Sequence, residues 1–464
     1  MKTVIRRITK GIWLKTTLIL IFVCTFSVFA RGFYFASSDC NCNPRQVIVQ
    51  LNNSRDLPNI TAQYHLDPVP IEQFGSPTYY LLSILDSQTP PQIVALMSRD
   101  SRVRKAEVNR LFSNAEVEGL SWTQGQSWVI GQSWVIGDSD QALARQWFTG
   151  RIHLNEAFGA AGTHGRKIVN GQDTGAPVVI AVLDTGIDLN HPAFAGRLVD
   201  LADRWDFVDG DNDPSEVGEL TVDPAFGHGT HVAGIVAQMV PDAKIMPLRI
   251  LNRDGSGELW RITAALIWAS NHGADVANLS IGYPENARIL HDLLDCEDLG
   301  ISDDGTRFPE LGTNRLAVAV ASGNGGNTVK VYPGAERRQG MLTVAASNSN
   351  DFLAPFSSYQ SGWVNVSAPG ENIVSALPGE LYGVWSGTSM ASPVVAGLAA
   401  LVKAQHPDAG TFPAPHDLLN RILRSSVDKR YGNTNSLPWG SVNLHRVDAL
   451  CAVTNNTHCP IPLF

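Results

Sequence analysis

Short apolar runs recur through the second half of the chain, at 177–183, 245–251, 274–281, 316–321 and 341–346. Each is four to eight residues of nearly unbroken apolar character, the pattern of strands buried on both faces of a parallel sheet. Longer stretches with helical spacing fall between and after them, at 230–239, 259–271 and 389–403. Strands alternating with helices predict an α/β layered domain over 140–448. Upstream, Val47, Val49 and Leu51 alternate with polar neighbours, as do Tyr80, Leu82 and Ile84. Thr89-Pro90-Pro91 opens a short helix, and 103–112 makes a further strand, so 45–112 is expected to be a small α+β unit. The residues after 448 form a short tail expected to be peripheral.

Between these regions, 113–139 carries an internal repeat: Ser121-Trp122-Thr123-Gln124-Gly125-Gln126, then Ser127-Trp128-Val129-Ile130-Gly131-Gln132, then Ser133-Trp134-Val135-Ile136-Gly137-Asp138. A period of six is even, so on a strand the three tryptophans share one face. The region reads as a linker and a place for proteolytic cleavage.

Composition narrows the function classes. Of 464 residues, 44% are hydrophobic and 17% charged, enough to bury a large core. The net charge of −9 argues against a nucleic-acid partner, whose phosphates need a basic face. Residues 1–15 carry five basic side chains and no acidic one, and 16–30 carry no charge, ending in Val28-Phe29-Ala30. That is the form of a secretory signal, 1–30, with a membrane anchor as the alternative. Export permits disulfides. Cys24 leaves with a signal, so Cys40, Cys42, Cys296, Cys451 and Cys459 remain, and Cys451 with Cys459 can close a small C-terminal loop.

Three motifs carry chemistry. Ala181-Val182-Leu183-Asp184-Thr185-Gly186 ends a buried strand in a carboxylate, Gly227-His228-Gly229-Thr230-His231 opens a helix with a histidine, and Gly387-Thr388-Ser389-Met390-Ala391-Ser392-Pro393 opens a long apolar helix with a serine. A serine hydroxyl needs a base to take its proton, and the base needs a third group to fix its tautomer. Alone, each residue is more often a turn or cap residue; together, each inside a long motif, they point to nucleophilic acyl transfer. Their order, Asp, His, Ser, resembles the subtilisin-like serine proteases, the subtilase family.

That resemblance implies a three-layer α/β fold with a mostly parallel central sheet, preceded by a small α+β propeptide. It implies a secreted serine endopeptidase, made as a self-inhibited and autoprocessed precursor, monomeric, acting on protein or peptide substrates, with its own propeptide as intramolecular inhibitor. An independent accessory domain is the alternative for 45–112. The resemblance gives Asp184, His228 and Ser389 as the triad. It gives Asn324, in Ser322-Gly323-Asn324-Gly325, as an oxyanion donor beside the Ser389 amide. Gly255, Ser256 and Gly257, with Ser280, Ile281 and Gly282, match the two segments between which a substrate strand lies. Val331, before Tyr332-Pro333-Gly334, stands where wide-pocket members have glycine, which implies a shallower specificity pocket. Asp206, Asp209, Asp211 and Asp213 crowd four carboxylates into eight residues, a calcium loop or else a solvated acidic turn. Catalysis itself calls for no cofactor.

Overall fold

The computed structural model describes residues 40–114, 134–137, 143, 146–220, 222–295, 305–309, 316–338, 340–360, 362–407, 415–431 and 442–455. Among them, nine strands form one sheet in the order Val427–Tyr431, Val442–Arg446, Val366–Pro369, Met341–Ser347, Ala317–Ala321, Val276–Leu279, Val179–Asp184, Lys244–Arg249, Trp205–Asp206. Neighbours run parallel except at the edge strand Val427–Tyr431.

The unbroken apolar runs have a direct cause. Along Val179–Asp184, Ile180 and Val182 face one layer, which contains the helices His228–Met239 and Thr388–Gln405. Ala181 and Leu183 face the other, which contains Leu259–Asn271 and Arg288–Leu294. Side chains alternate across a strand, so a strand covered on both faces must be apolar at every position. The architecture is therefore three-layered α/β. The helices of the first layer can cross closely because Gly397 packs on Met239, where a Cβ would collide.

Two expectations are corrected. The run 274–281 is not one strand: Val276–Leu279 stays in the central sheet, while Ile281–Gly282 turns away to pair with Val103–Asn114. The described residues after 448, 449–455, are not peripheral as a group. Ala449–Thr454 is a helix whose Ala449, Ala452 and Val453 join the main core, and Cys451 is also buried. A short apolar helix gives too few residues for a periodicity signal.

The upstream unit folds as a sheet in the order Val103–Asn114, Cys42–Leu51, Tyr79–Ser83, Glu72–Phe74. Val47, Val49, Leu51, Tyr80 and Leu82 face a core closed by Ile60, Ile93 and Met97, from the helices Leu57–Gln63 and Pro90–Met97. Ile48, Tyr79 and Leu81 face the other way and pack into the layer of Leu259–Asn271 and Arg288–Leu294. Of the tryptophan repeat, Trp134–Gly137 is described: it adds an antiparallel strand to the hairpin Ile373–Leu377/Leu381–Trp385. The first two units lie outside the described residues, as do the segment 1–30 and Cys459. Cys40 is bonded to Cys42, and Cys451 is in a disulfide. No helix among the described residues is long and apolar enough to cross a membrane.

Candidate active site

Strand Val179–Asp184 lies between Lys244–Arg249 and Val276–Leu279, so its carboxyl end is a switch point where connections leave to opposite sides. Asp184 sits at that end. Its Oδ1 accepts the Thr185 N–H at 2.8 Å and the Nδ1–H of His228 at 2.6 Å. His228 is the first residue of its helix, reached through Gly227 at φ 95°. The next residue, Gly229, lies against the Gly186 carbonyl, where a Cβ would collide. Glycines on both sides of the histidine thus let the helix start press onto the strand end. Asp184, His228 and Ser389 are all fully buried in this form of the chain.

Ser389 is the second residue of helix Thr388–Gln405, where unpaired backbone amides favour negative charge. Pro393, four residues on, has no N–H to offer the Ser389 carbonyl. The Ser280 hydroxyl donates to that carbonyl instead, at 3.0 Å. Ser280 Oγ is also 3.0 Å from both Asn278 Nδ2 and Ser392 Oγ, and Ser392 Oγ donates to Asn278 Oδ1 at 2.9 Å. A closed, buried polar network therefore fixes the turn that carries the nucleophile. The Ser389 hydroxyl itself donates to the Ser280 carbonyl at 3.4 Å. Asn324 follows strand Ala317–Ala321. Its Oδ1 accepts the Thr388 N–H at 2.9 Å and the Thr388 hydroxyl at 3.0 Å, which turns its Nδ2 donors to the opposite side.

Gly255, Ser256, Gly257, Ser280, Ile281 and Gly282 are brought together, and a strand of the chain lies between them. Val103–Asn114 pairs antiparallel with both segments: Gly257 opposite Phe112, Ser256 opposite Ser113, Gly282 opposite Ser113, Ile281 opposite Asn114. A Cβ on Gly257 would strike the Phe112 ring, which packs 6.1 Å from Tyr283. Gly255 holds the preceding turn at φ +80°. The same strand caps two helices. The Glu107 carboxylate accepts the N–H groups of Arg288 at 3.0 Å and Ile289 at 2.8 Å, and Asn109 Oδ1 accepts the Trp260 N–H at 3.1 Å. Lys105 pairs with Asp292 at 2.5 Å. Val331 is buried, and its Cγ2 would lie 3.0 Å from a Cβ on Gly323, whose N–H binds the Thr388 hydroxyl.

The second histidine of the helix, His231, stacks on Trp385 at 4.7 Å. Burial, with the nearby charge of His228, lowers its pKa to about 3, so it stays neutral. The acidic loop does not assemble a calcium site. Arg249 Nη1 takes Asp206 at 2.6 Å and Asp209 at 2.5 Å, while Asp211 and Asp213 accept from their own loop. Among the described residues no three acidic, histidine or cysteine side chains gather as ligands. The Arg249 guanidinium already occupies Asp206 and Asp209, and the four carboxylates do not converge, so the donor set does not fit a divalent cation.

One residue escaped the sequence reading. Glu216 reaches both the Asp184 and His228 motifs: Oε1 accepts the Gly227 N–H at 2.7 Å and the Thr185 hydroxyl, and Oε2 accepts the Thr230 N–H at 3.2 Å and the Thr230 hydroxyl. Burial pushes its pKa up to about 7 against those hydrogen bonds. A lone acid in a loop carries no motif to find it by.

The family model for subtilases matches residues 175–440. The chain is 35% identical over 274 residues to the thermophilic serine proteinase of Bacillus sp. (strain AK1), covering 57% of this chain and 60% of that one. It is 33% identical over 282 residues to thermitase of Thermoactinomyces vulgaris, covering 59% of this chain and 88% of thermitase. Among solved structures, a cold adapted subtilisin-like serine proteinase aligns at 26% identity with a TM-score of 0.46, covering 63% of this chain and 97% of that one. The family match spans more than half of the chain and contains Asp184, His228, Asn324 and Ser389, so the chain belongs to the subtilase family.

Proposed function

We propose that this subtilase is an exported serine endopeptidase, made as a precursor that its own segment 45–112 inhibits and that cuts itself free. The observation that carries this is the strand Val103–Asn114, which lies between the two segments matched to substrate binding. Ser389 Oγ attacks the scissile carbonyl while His228 takes its proton, and Asp184 holds the imidazole in the required tautomer. The Asn324 amide and the Ser389 N–H receive the charge that develops on the carbonyl oxygen. His228 then gives the proton to the leaving amine, and water, deprotonated by His228, releases the acid and frees Ser389. No cofactor enters these steps.

The register supports a particular bond. Gly282 faces Ser113 and Ile281 faces Asn114. The described strand ends there, one residue pair short of Ser280. The Ser280 carbonyl accepts the Ser389 hydroxyl. Maturation is then a cut just past Asn114, and Ala115–Glu116 is the bond there whose preceding side chain is small enough for a pocket narrowed by Val331.

The test is the N-terminal sequence of the enzyme from cells making the wild type and from cells making Ser389→Ala. The expected wild-type product begins at Glu116, and Ser389→Ala keeps the upstream segment, because removing the nucleophile costs on the order of 10⁶-fold in turnover. Identical trimming of both chains would mean another protease matures the enzyme. Untrimmed wild type would sink the precursor reading.

A further inference from the structure

We propose that Glu216 is a positioning residue of the active site: its carboxylate ties the loop after Asp184 to the start of the His228 helix and so sets the carboxylate–imidazole distance. This rests on Asp184, His228 and Ser389 being the reacting set.

The Asp184–His228 contact joins two separate elements, 44 residues apart in sequence. Its length depends on what holds the strand end and the helix start together. Glu216 is anchored on the strand side. Its N–H donates to the Ile187 carbonyl at 3.0 Å, and the Ile187 N–H donates to Pro214 at 3.0 Å. A Cβ on Gly186 would strike the carbonyls of Pro214 and Ser215, so the two backbones lie against each other. From that base the side chain reaches across to Gly227 and Thr230, on either side of His228.

The two threonines extend the tie. Thr185 Oγ1 donates to Glu216 and accepts the Gly229 N–H at 2.9 Å. Thr230 Oγ1 donates to Glu216 and accepts the Asp188 N–H at 2.9 Å. Each hydroxyl therefore bridges strand loop and helix, and each has its proton committed to Glu216. Four donors converge on one carboxylate, which when ionised is acceptor-only and has room for four. A glutamine would turn an NH₂ donor onto two of them. The residue as a whole is half-buried, with the carboxylate end desolvated.

The experiment is steady-state kinetics on a chromogenic peptide with wild type, Glu216→Gln, Thr185→Val, Thr185→Ser and the double variant Glu216→Gln/Thr185→Val. Each full chain is processed where needed by a trace of tagged wild type that is then removed. Misplacing a base costs chemistry rather than binding, so Glu216→Gln is expected to lower kcat by about ten- to a hundredfold with KM within about twofold. Thr185→Val is expected to do the same in kind, and Thr185→Ser, which restores the hydroxyl, to recover most of the loss. The double variant is expected to fall no lower than the worse single, because both remove one tie. Unchanged kcat in Glu216→Gln, or an equal rise in KM, overturns the proposal. If Glu216→Gln does not fold, the Thr185 pair decides: wild-type kcat in Thr185→Val overturns it. A wild type with no turnover would instead sink the endopeptidase reading, so the two failures are told apart.

Discussion

Pro393 and Ser280 show how a residue type sets a site. Proline removes one helical N–H, and that freed carbonyl is the one a buried hydroxyl uses to hold Ser389. Val331 acts by volume. Its side chain crowds Gly323, next to the residues that hold Thr388 and Asn324. Val331→Gly is expected to raise turnover of peptides with Phe before the cut bond, relative to Ala, by about tenfold, since filling or emptying a few methyl groups of an apolar pocket is worth about 1–3 kcal/mol. Assays with Ala and Phe peptides on both enzymes check it, and an unchanged ratio would show that Val331 does not line that pocket. Asp184, His228, Asn324 and Ser389 were legible because each needs glycine or small neighbours for close backbone approach, and that need writes a long motif. Glu216 was not legible. Its partners lie 31, 14 and 11 residues away, and one acid among many in a loop has no local requirement that marks it.

Strand Val103–Asn114 is the element on which the proposed latency turns, because one half completes the upstream sheet and the other half lies between the segments matched to substrate binding. Its grip also comes from helix ends. Glu107 satisfies two first-turn amides of Arg288–Leu294. Glu107→Ala leaves both without a partner, a cost of about 1–2 kcal/mol, and the cleaved segment is expected to dissociate roughly ten- to thirtyfold more readily. The pH dependence has a definite sign. Burial raises the Glu107 pKa above that of the free segment, so the docked form binds the proton more tightly. Docking is favoured below the ordinary carboxylate pKa and weakens as pH rises through the raised one. Dissociation rates of wild-type and Glu107→Gln segments across that range test both statements: equal pH slopes would remove Glu107 from the account. The strands and helices that border the site were readable as apolar runs. The hairpins Arg166–Val169/Gln172–Pro177 and Ile373–Leu377/Leu381–Trp385 were not. The first is largely exposed and owes its form to turn pairing, and the second is set by packing on His228–Met239.

Across the whole molecule, the layer that carries His228 and Ser389 is closed from the far end of the chain. Helix Ala449–Thr454 enters the same core as His228–Met239 and Thr388–Gln405. Its entry is fixed by polar contacts as well as packing. Asp448 caps it, accepting the Cys451 N–H at 3.0 Å, and pairs with His153 at 2.7 Å, while the Ala449 N–H donates to the Ile152 carbonyl at 2.8 Å. These contacts tie the helix that follows the last strand of the sheet to the helices that precede Val179–Asp184, so segments early and late in the subtilase region hold each other. Ending the chain after Val447 removes, among the described residues, the buried apolar side chains of Ala449, Cys451, Ala452 and Val453 together with buried Asp448, and bares the core beneath them. At about 1.5–3 kcal/mol for a fully buried Val and less for each Ala, with the cap and the His153 pair lost too, the total is several kcal/mol. In a Ser389→Ala background, which prevents self-digestion, the truncated chain is expected to melt about 10 °C or more below its full-length counterpart, or to be recovered only as aggregate. A melting temperature within about 2 °C of full length would mean that the helix lies on the core without closing it.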